Sequence, residues 1–150
     1  MNAVTLVRSW SKLPAPSLEQ VTGDLRAEFV PPLRHVAPVG LGLLGLPRWH
    51  GKRFWRAGGH LAGVNLLRPH GGAVPPADLV ERLAMTAQLA HGVADGRPAV
   101  VITYESSAPR PWRWVRDEVR QGDGVLVGMS YLERGPLRRL GMPFLLHPEV

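Results

Sequence analysis

Proline or glycine interrupts this chain at short intervals almost from end to end, and no other feature limits its fold as much. The 15 Pro and 17 Gly are spread along the sequence rather than clustered. Proline lacks an amide donor and fixes φ, and glycine weakens any regular element it sits in. Short elements joined by turns are therefore favoured over a few long helices. Between the interruptions several segments alternate apolar and polar residues, the period of a half-buried strand. Residues 24–30 set Leu25, Ala27 and Phe29 against Arg26 and Glu28. Residues 49–56 set Trp49, Gly51, Arg53 and Trp55 against His50, Lys52, Phe54 and Arg56, with Gly51 suited to a close crossing or a bulge. Residues 61–67 follow the Gly58-Gly59 turn as an apolar strand, and residues 83–91 and 98–105 form a hairpin around Asp95-Gly96. In residues 112–121, Trp112, Trp114, Arg116, Glu118 and Arg120 share one face, and Arg113, Val115, Asp117 and Val119 the other. The pattern leaves open which face looks inward. Residues 125–132, with Val125, Val127, Met129 and Tyr131 on one face, and a closing strand at 144–147 complete the set.

Helical signals are few. Val4, Val7, Trp10 and Leu13 recur at helical spacing until Pro14, which predicts a short amphipathic helix. Ser17 and Gln20 fit a capping box, so residues 1–22 read as a helical lead-in. Residues 31–47 read as an apolar cap, a bent helix across one end of the strands. Residues 40–45 within it match G-x-G-x-x-G, but Pro38 spoils the entering strand and Pro47 the leaving helix that a dinucleotide site requires. The glycines there read as close packing. Gly71-Gly72 and Pro75-Pro76 mark a loop, and Asp78 to Glu81 the start of one more short helix.

The absence of Cys excludes disulfides, Cys-bound zinc and thiolate nucleophiles. The net charge of +6 is carried almost wholly by arginine, Lys12 and Lys52 being the only lysines. The arginines are scattered and Arg138-Arg139 is the densest pair, so no nucleic-acid partner is expected. The N-terminus lacks a signal-peptide pattern, and the apolar run at 36–47 falls well short of the roughly 20 residues of a membrane helix. A soluble, cytoplasmic protein without a membrane partner is expected.

About eight strands in meander order must hide their edges, and small all-β chains do so by closing into barrels. The expected fold is mainly β. It is a single lipocalin-like (calycin-type) antiparallel β-barrel of about eight strands, with a short N-terminal helix and a helical cap segment, over residues 1–150 as one domain. Trp49-His50-Gly51-Lys52-Arg53-Phe54 resembles the Trp-x-Gly-Lys-x-Phe motif of an uncharacterised bacterial group of lipocalin-like proteins, whose opening signature is Gly-x-Trp-x-Gly. A looser similarity continues through Asp95-Gly96-Arg97-Pro98, Val115-Arg116-Asp117-Glu118 and Pro143-Phe144-Leu145-Leu146, so that it covers residues 17–147. The resemblance implies a barrel with an internal apolar cavity.

Candidate site residues follow from these faces. Alternation points Arg116 and Glu118 the same way, beside Trp112 and Trp114. Turned inward, a carboxylate among aromatics has its pKa raised toward acid/base range; turned outward, the pair is a solvated ion pair. Glu118 and Tyr104 are the candidate catalytic groups. Arg116, Trp112, Trp114, Lys52, Arg56, Asn65, His91 and Tyr131 are the candidate ligand-binding residues, a few polar groups in an otherwise apolar pocket. Lys52 would form a Schiff base only if desolvated and neutral. His50, His60 and His70 fit no ligand spacing, so no metal is expected. No cofactor is expected either; a haem held by one barrel histidine, with His91 as the candidate, is the weaker alternative. No Ser-His-Asp arrangement is visible.

The expected function is binding of a hydrophobic or partly anionic small molecule in the cavity, with Arg116, Lys52 or Arg56 meeting its polar end. The alternative is a cofactor-free cyclase or isomerase of bacterial secondary metabolism acting in the same cavity. Both are compatible with a homodimer.

Overall fold

A computed structural model of the chain describes residues 2–69, 79–136 and 138–149. The Gly71-Gly72 and Pro75-Pro76 loop, His70 and Asp78 lie outside them. Eight antiparallel strands run in meander order: β1 (Gly23–Glu28), β2 (Trp49–Ala57), β3 (His60–Leu67), β4 (Val80–His91), β5 (Pro98–Tyr104), β6 (Val115–Gln121), β7 (Leu126–Leu132) and β8 (Met142–Pro148). β1 pairs with both β2 and β8, so the sheet closes and no barrel strand is left with an open edge.

Alternate residues fill the interior, among them Leu25, Phe54, Ile102, Val119, Leu126 and Phe144. The two phenylalanines fit because each lies opposite a glycine. Phe54 pairs with Gly63 and Phe144 with Gly128, and a Cβ on those glycines would stand 2.4 and 2.3 Å from the rings. Gly51 is tighter still: its Cβ would lie 1.8 Å from the Leu25 carbonyl oxygen, so β1 and β2 approach as they do only without a side chain there.

Two bulges re-aim side chains. Trp49 pairs with Leu67 and Gly51 with Leu66, which leaves His50 as the extra residue of β2. On β4, Leu83 is the extra residue between Ala84, opposite Val64, and Arg82, opposite Asn65, and its φ is 60°.

The lead-in packs on the outer wall. α1 (Ala3–Ser9) is capped by Asn2, whose side chain accepts from the Thr5 amide, and a 3₁₀ turn, Trp10–Lys12, follows. Its buried face is Ala3, Leu6 and Trp10, while Val4 and Val7 are exposed. This corrects the expected face: Trp10 and Leu6 seek the outer surfaces of Val127, Met129, Tyr131 and Leu145, and in so short a helix the largest buried groups set the rotation. α2 (Leu18–Val21) carries the predicted capping box in full. α3 (Ala37–Leu43) forms the helical part of the cap and buries none of its residues.

Two further expectations are corrected. Residues 79–81 do not begin a helix, because Val80 and Glu81 pair with Leu67 and Leu66 at the start of β4, and ladder pairing outweighs a weak helical signal. Trp112–Trp114 is a 3₁₀ turn, so the alternation read from Trp112 holds only from Val115 onward.

Candidate functional site

Four polar side chains converge inside the barrel, one from each of four strands. Lys52 of β2 and Asn65 of β3 are cross-strand partners, and Tyr104 of β5 and Asp117 of β6 reach in from the far wall. Lys52 is 1% exposed and Asn65 is fully buried. Lys52 Nζ lies 3.1 Å from Asp117 Oδ2, donates to Asn65 Oδ1 at 3.0 Å and donates to the Tyr104 hydroxyl at 3.2 Å. It also stands 5.5 Å from the centroid of the Trp49 ring. All three ammonium protons thus have oxygen acceptors, which a buried charge requires.

The network fixes its own proton directions. Trp49 Nε1 donates to Asn65 Oδ1 at 3.1 Å, and Lys52 donates to the same oxygen. Neither group can accept, so the amide orientation is determined, and Asn65 Nδ2 donates to the Tyr104 oxygen at 2.9 Å. The phenol oxygen therefore accepts from both Lys52 and Asn65. Its own proton has no acceptor among the described residues and remains available to a guest. Asp117 likewise uses Oδ2 on Lys52, while Oδ1 receives no hydrogen bond among the described residues.

Burial alone works against the Lys52 charge, but the Tyr104 oxygen and the Asp117 carboxylate outweigh it and hold the ammonium above its ordinary pKa of 10.5. Burial also raises the Tyr104 phenol above 10.0, against the pull of Lys52. At neutral pH the site therefore presents a protonated phenol and an ammonium paired with Asp117. As an ammonium Lys52 has no free lone pair, and its raised pKa works against the neutral amine a Schiff base needs.

Beside this network lies a small cavity of about 30 Å³, room for one water-sized group. Phe29, Trp49, Trp112 and Phe144 supply its aromatic wall, Ser130 a hydroxyl, and Leu41 and Leu46 of the cap its roof. Trp112 packs on Tyr104 with ring centroids 5.5 Å apart and donates Nε1 to the Leu44 carbonyl at 2.7 Å, tying the cap to the wall.

The structure divides the expected site residues. Lys52, Asn65, Tyr104 and Trp112 meet at the cavity. Arg116 and Glu118 do not, because Val119 and Asp117 occupy the inward positions of β6. Glu118 is fully buried on the outer face, where its Oε2 takes hydrogen bonds from Arg116 Nε and the Val93 amide, both at 2.8 Å. The neighbouring Arg120 grips Asp95 with two bonds of 2.7 and 2.8 Å, donates to the carbonyls of Trp10, Arg97 and Pro98, and has its guanidinium 4.4 Å from the Trp10 ring. This outer cluster fastens the lead-in and the β4–β5 turn to the wall. Tyr131 belongs to it, its pKa pushed up to about 12 by burial and then by Glu118.

The remaining candidates lie elsewhere. Trp114 turns away under Arg134, 4.4 Å from its ring, and Arg56 is exposed. His91 is exposed and its ring bonds the Gly96 carbonyl at 3.0 Å, so it offers no ligand to the interior. Among the described residues no three His, Asp or Glu side chains converge; His50 pairs with Glu149 and His147 with Glu28, each at 2.7 Å. No described helix is long and apolar enough to cross a membrane.

Asp117, Trp49 and Ser130 were not among the expected site residues. For Asp117 a signal existed: one carboxylate flanked in alternation by Val115 and Val119 needs a cation if that face is buried, and Lys52 is one of only two lysines.

No family model matches the chain, and no curated protein matches it in sequence. Among solved structures, the crystal structure of a protein from Thermomonospora curvata superposes over 100% of this chain and 89% of its own, with a TM-score of 0.63 and 20% sequence identity. At that identity the likeness is one of fold alone.

Proposed function

We propose that the protein binds a small, mainly apolar molecule whose inner end carries a neutral acceptor oxygen, such as a carbonyl, seated against Tyr104. The barrel architecture is compatible with such binding. The observation that carries the reading is the phenolic proton of Tyr104. Two donors hold the oxygen, the proton has no acceptor among the described residues, and the residue lines the cavity. Lys52 polarises the phenol without presenting a free cation, because Asp117 neutralises it at 3.1 Å. A cavity of about 30 Å³ admits only the tip of a guest, so the rest of the molecule extends past Leu41 and Leu46 toward the barrel mouth.

Methyl hexyl ketone is a suitable probe, followed by calorimetry. Tyr104→Phe should weaken its binding about five- to tenfold, the worth of one neutral hydrogen bond, with the melting temperature and circular dichroism of the variant checked alongside. Equal affinity in the two proteins would remove Tyr104 from the site.

The cyclase or isomerase reading also draws on a particular observation: Asp117 and Tyr104 face one cavity, a carboxylate with a free oxygen beside a phenol that can donate. That pair could take a proton from the carbon next to a carbonyl while hydrogen-bonding the oxygen as charge develops. The protein should then speed deuterium exchange at those carbons in heavy water. Exchange at the background rate would leave binding as the function.

A further inference from the structure

A second concavity opens at the barrel mouth, directly outside the cavity of Tyr104. It measures about 220 Å³ and shares Phe29, Leu41 and Trp49 with the inner cavity as a common wall. Three arginines line it, Arg34, Arg48 and Arg68. They come from the cap, from the residue before β2 and from the residue after β3, so three separate segments bring cations to one opening. None of the three forms an ion pair among the described residues. Glu28, the one carboxylate in the lining, is held by His147 at 2.7 Å. The remaining surface is apolar: Ala27, Pro38 and the shared wall.

The position of Arg48 is built rather than incidental. Its φ of 55° lies in the left-handed region, which costs a non-glycine residue energy and persists only where surroundings hold it. The surroundings here are a reciprocal pair: Arg48 O accepts from the Arg68 amide at 2.9 Å, and Arg48 Nε donates to Arg68 O at 3.0 Å. The Nε–H of the guanidinium is spent on the backbone, and the arginine is thereby fixed at the rim. Uncompensated arginines around an apolar concavity suit an anionic group attached to an apolar body, since guanidinium binds carboxylate and phosphate oxygens with charge-assisted hydrogen bonds.

We infer that the mouth is an anion-recognition site, and that the ligand is an amphiphile with an anionic group at its outer end, carried by Arg34, Arg48 and Arg68, and an apolar body that passes between Trp49 and Leu41 into the barrel. This rests on the binding reading above and adds the outer end of the molecule to it. It also moves the anionic contact away from Arg116, Lys52 and Arg56, which are respectively on the outer wall, neutralised and exposed elsewhere.

The test uses two probes that differ only at that outer end: methyl hexyl ketone, and ω-acetylhexanoate, the same ketone with its terminal methyl replaced by a carboxylate. Calorimetry at low and at moderate salt should find the carboxylate binding about tenfold more tightly at low salt, with the difference shrinking as salt rises. The double variant Arg34→Gln and Arg68→Gln, whose side chains carry no hydrogen bond among the described residues, should bring the two probes to equal affinity and leave the ketone unchanged. Equal affinity of the probes for the unmodified protein, or an advantage for the carboxylate that survives in the double variant, would overturn the anionic site while the ketone's binding still stood. Failure of both probes to bind would overturn the inner reading and this one together.

Discussion

Lys52 is the residue on which the interior depends. It is a charge with no access to water, held by Asp117, Asn65 and Tyr104. Removing one partner of such a pair leaves the other buried and unpaired, which costs about 3–5 kcal/mol, whereas replacing both by apolar groups is often close to neutral. Lys52→Met should therefore lower the urea unfolding free energy by about that amount, and Lys52→Met with Asp117→Leu should recover most of it. A double variant no more stable than the single one would show that Asp117 is not what makes the cation necessary. The pair also sets an alkaline limit. The folded pKa of Lys52 is raised, so its contribution is complete below 10.5 and is lost as pH rises beyond that through the folded value. The residue types of this network were readable; their meeting was not. Strict alternation puts Trp49 and Lys52 on opposite sides of β2, yet the bulge at His50 brings the Trp49 ring within 5.5 Å of the ammonium.

At the scale of elements, close approach and tethering explain what single residues do not. β1 and β2 cross where Gly51 stands, and the obstacle to a larger residue is the Leu25 backbone at 1.8 Å, which no rotamer change relieves. Gly51→Ala should cost about 3 kcal/mol by chemical denaturation, the upper end of the usual overpacking range, or abolish soluble expression. This glycine was recognisable as a crossing or bulge site within its strand, and both features are present. The tether of the lead-in is a different case. Arg120 holds the Asp95 carboxyl down to about 2, through its hydrogen bonds first, against some burial. A lowered carboxylate contributes stability that is complete above its ordinary value of 3.8 and is lost as pH falls toward about 2. The urea midpoint should fall between pH 5 and pH 2.5, and Asp95→Asn should flatten that part of the profile; an unchanged slope would place the acid sensitivity elsewhere. Sequence alternation grouped Arg116, Glu118 and Arg120 correctly on one face. Which side of the wall that face takes depends on the lead-in, whose Trp10 covers Arg120 from more than a hundred residues away.

The whole molecule is a closed wall with a weakly seated roof. α3 buries none of its residues, and Val36, Val39 and Leu43 are 69%, 66% and 84% exposed. The roof is fastened by the hydrogen bond from Trp112 Nε1 to Leu44 O and by the packing of Leu41 and Leu46. Trp112→Phe keeps an aromatic ring beneath the cap and removes the bond. Amide hydrogen exchange over residues 40–46 should then quicken several-fold while exchange in β5 and β6 stays as it was, the signature of local rather than global opening. Ligand association should quicken with it. Unaltered exchange over the cap would mean that packing alone holds it.

Local periodicity, turn residues and the need to hide strand edges were enough to determine an eight-stranded antiparallel barrel with a capped helical lead-in, because each is a property of neighbours in the chain. Tertiary structure alone decided which face of β6 looks inward, that Lys52 meets Asp117, and that Arg34, Arg48 and Arg68 gather at one mouth. The physical reason is the same in all three. A bulge at His50, a 3₁₀ turn at Trp112–Trp114 and the closure of β1 on β8 each reset the phase between sequence and space, and a phase that depends on distant contacts leaves no local trace.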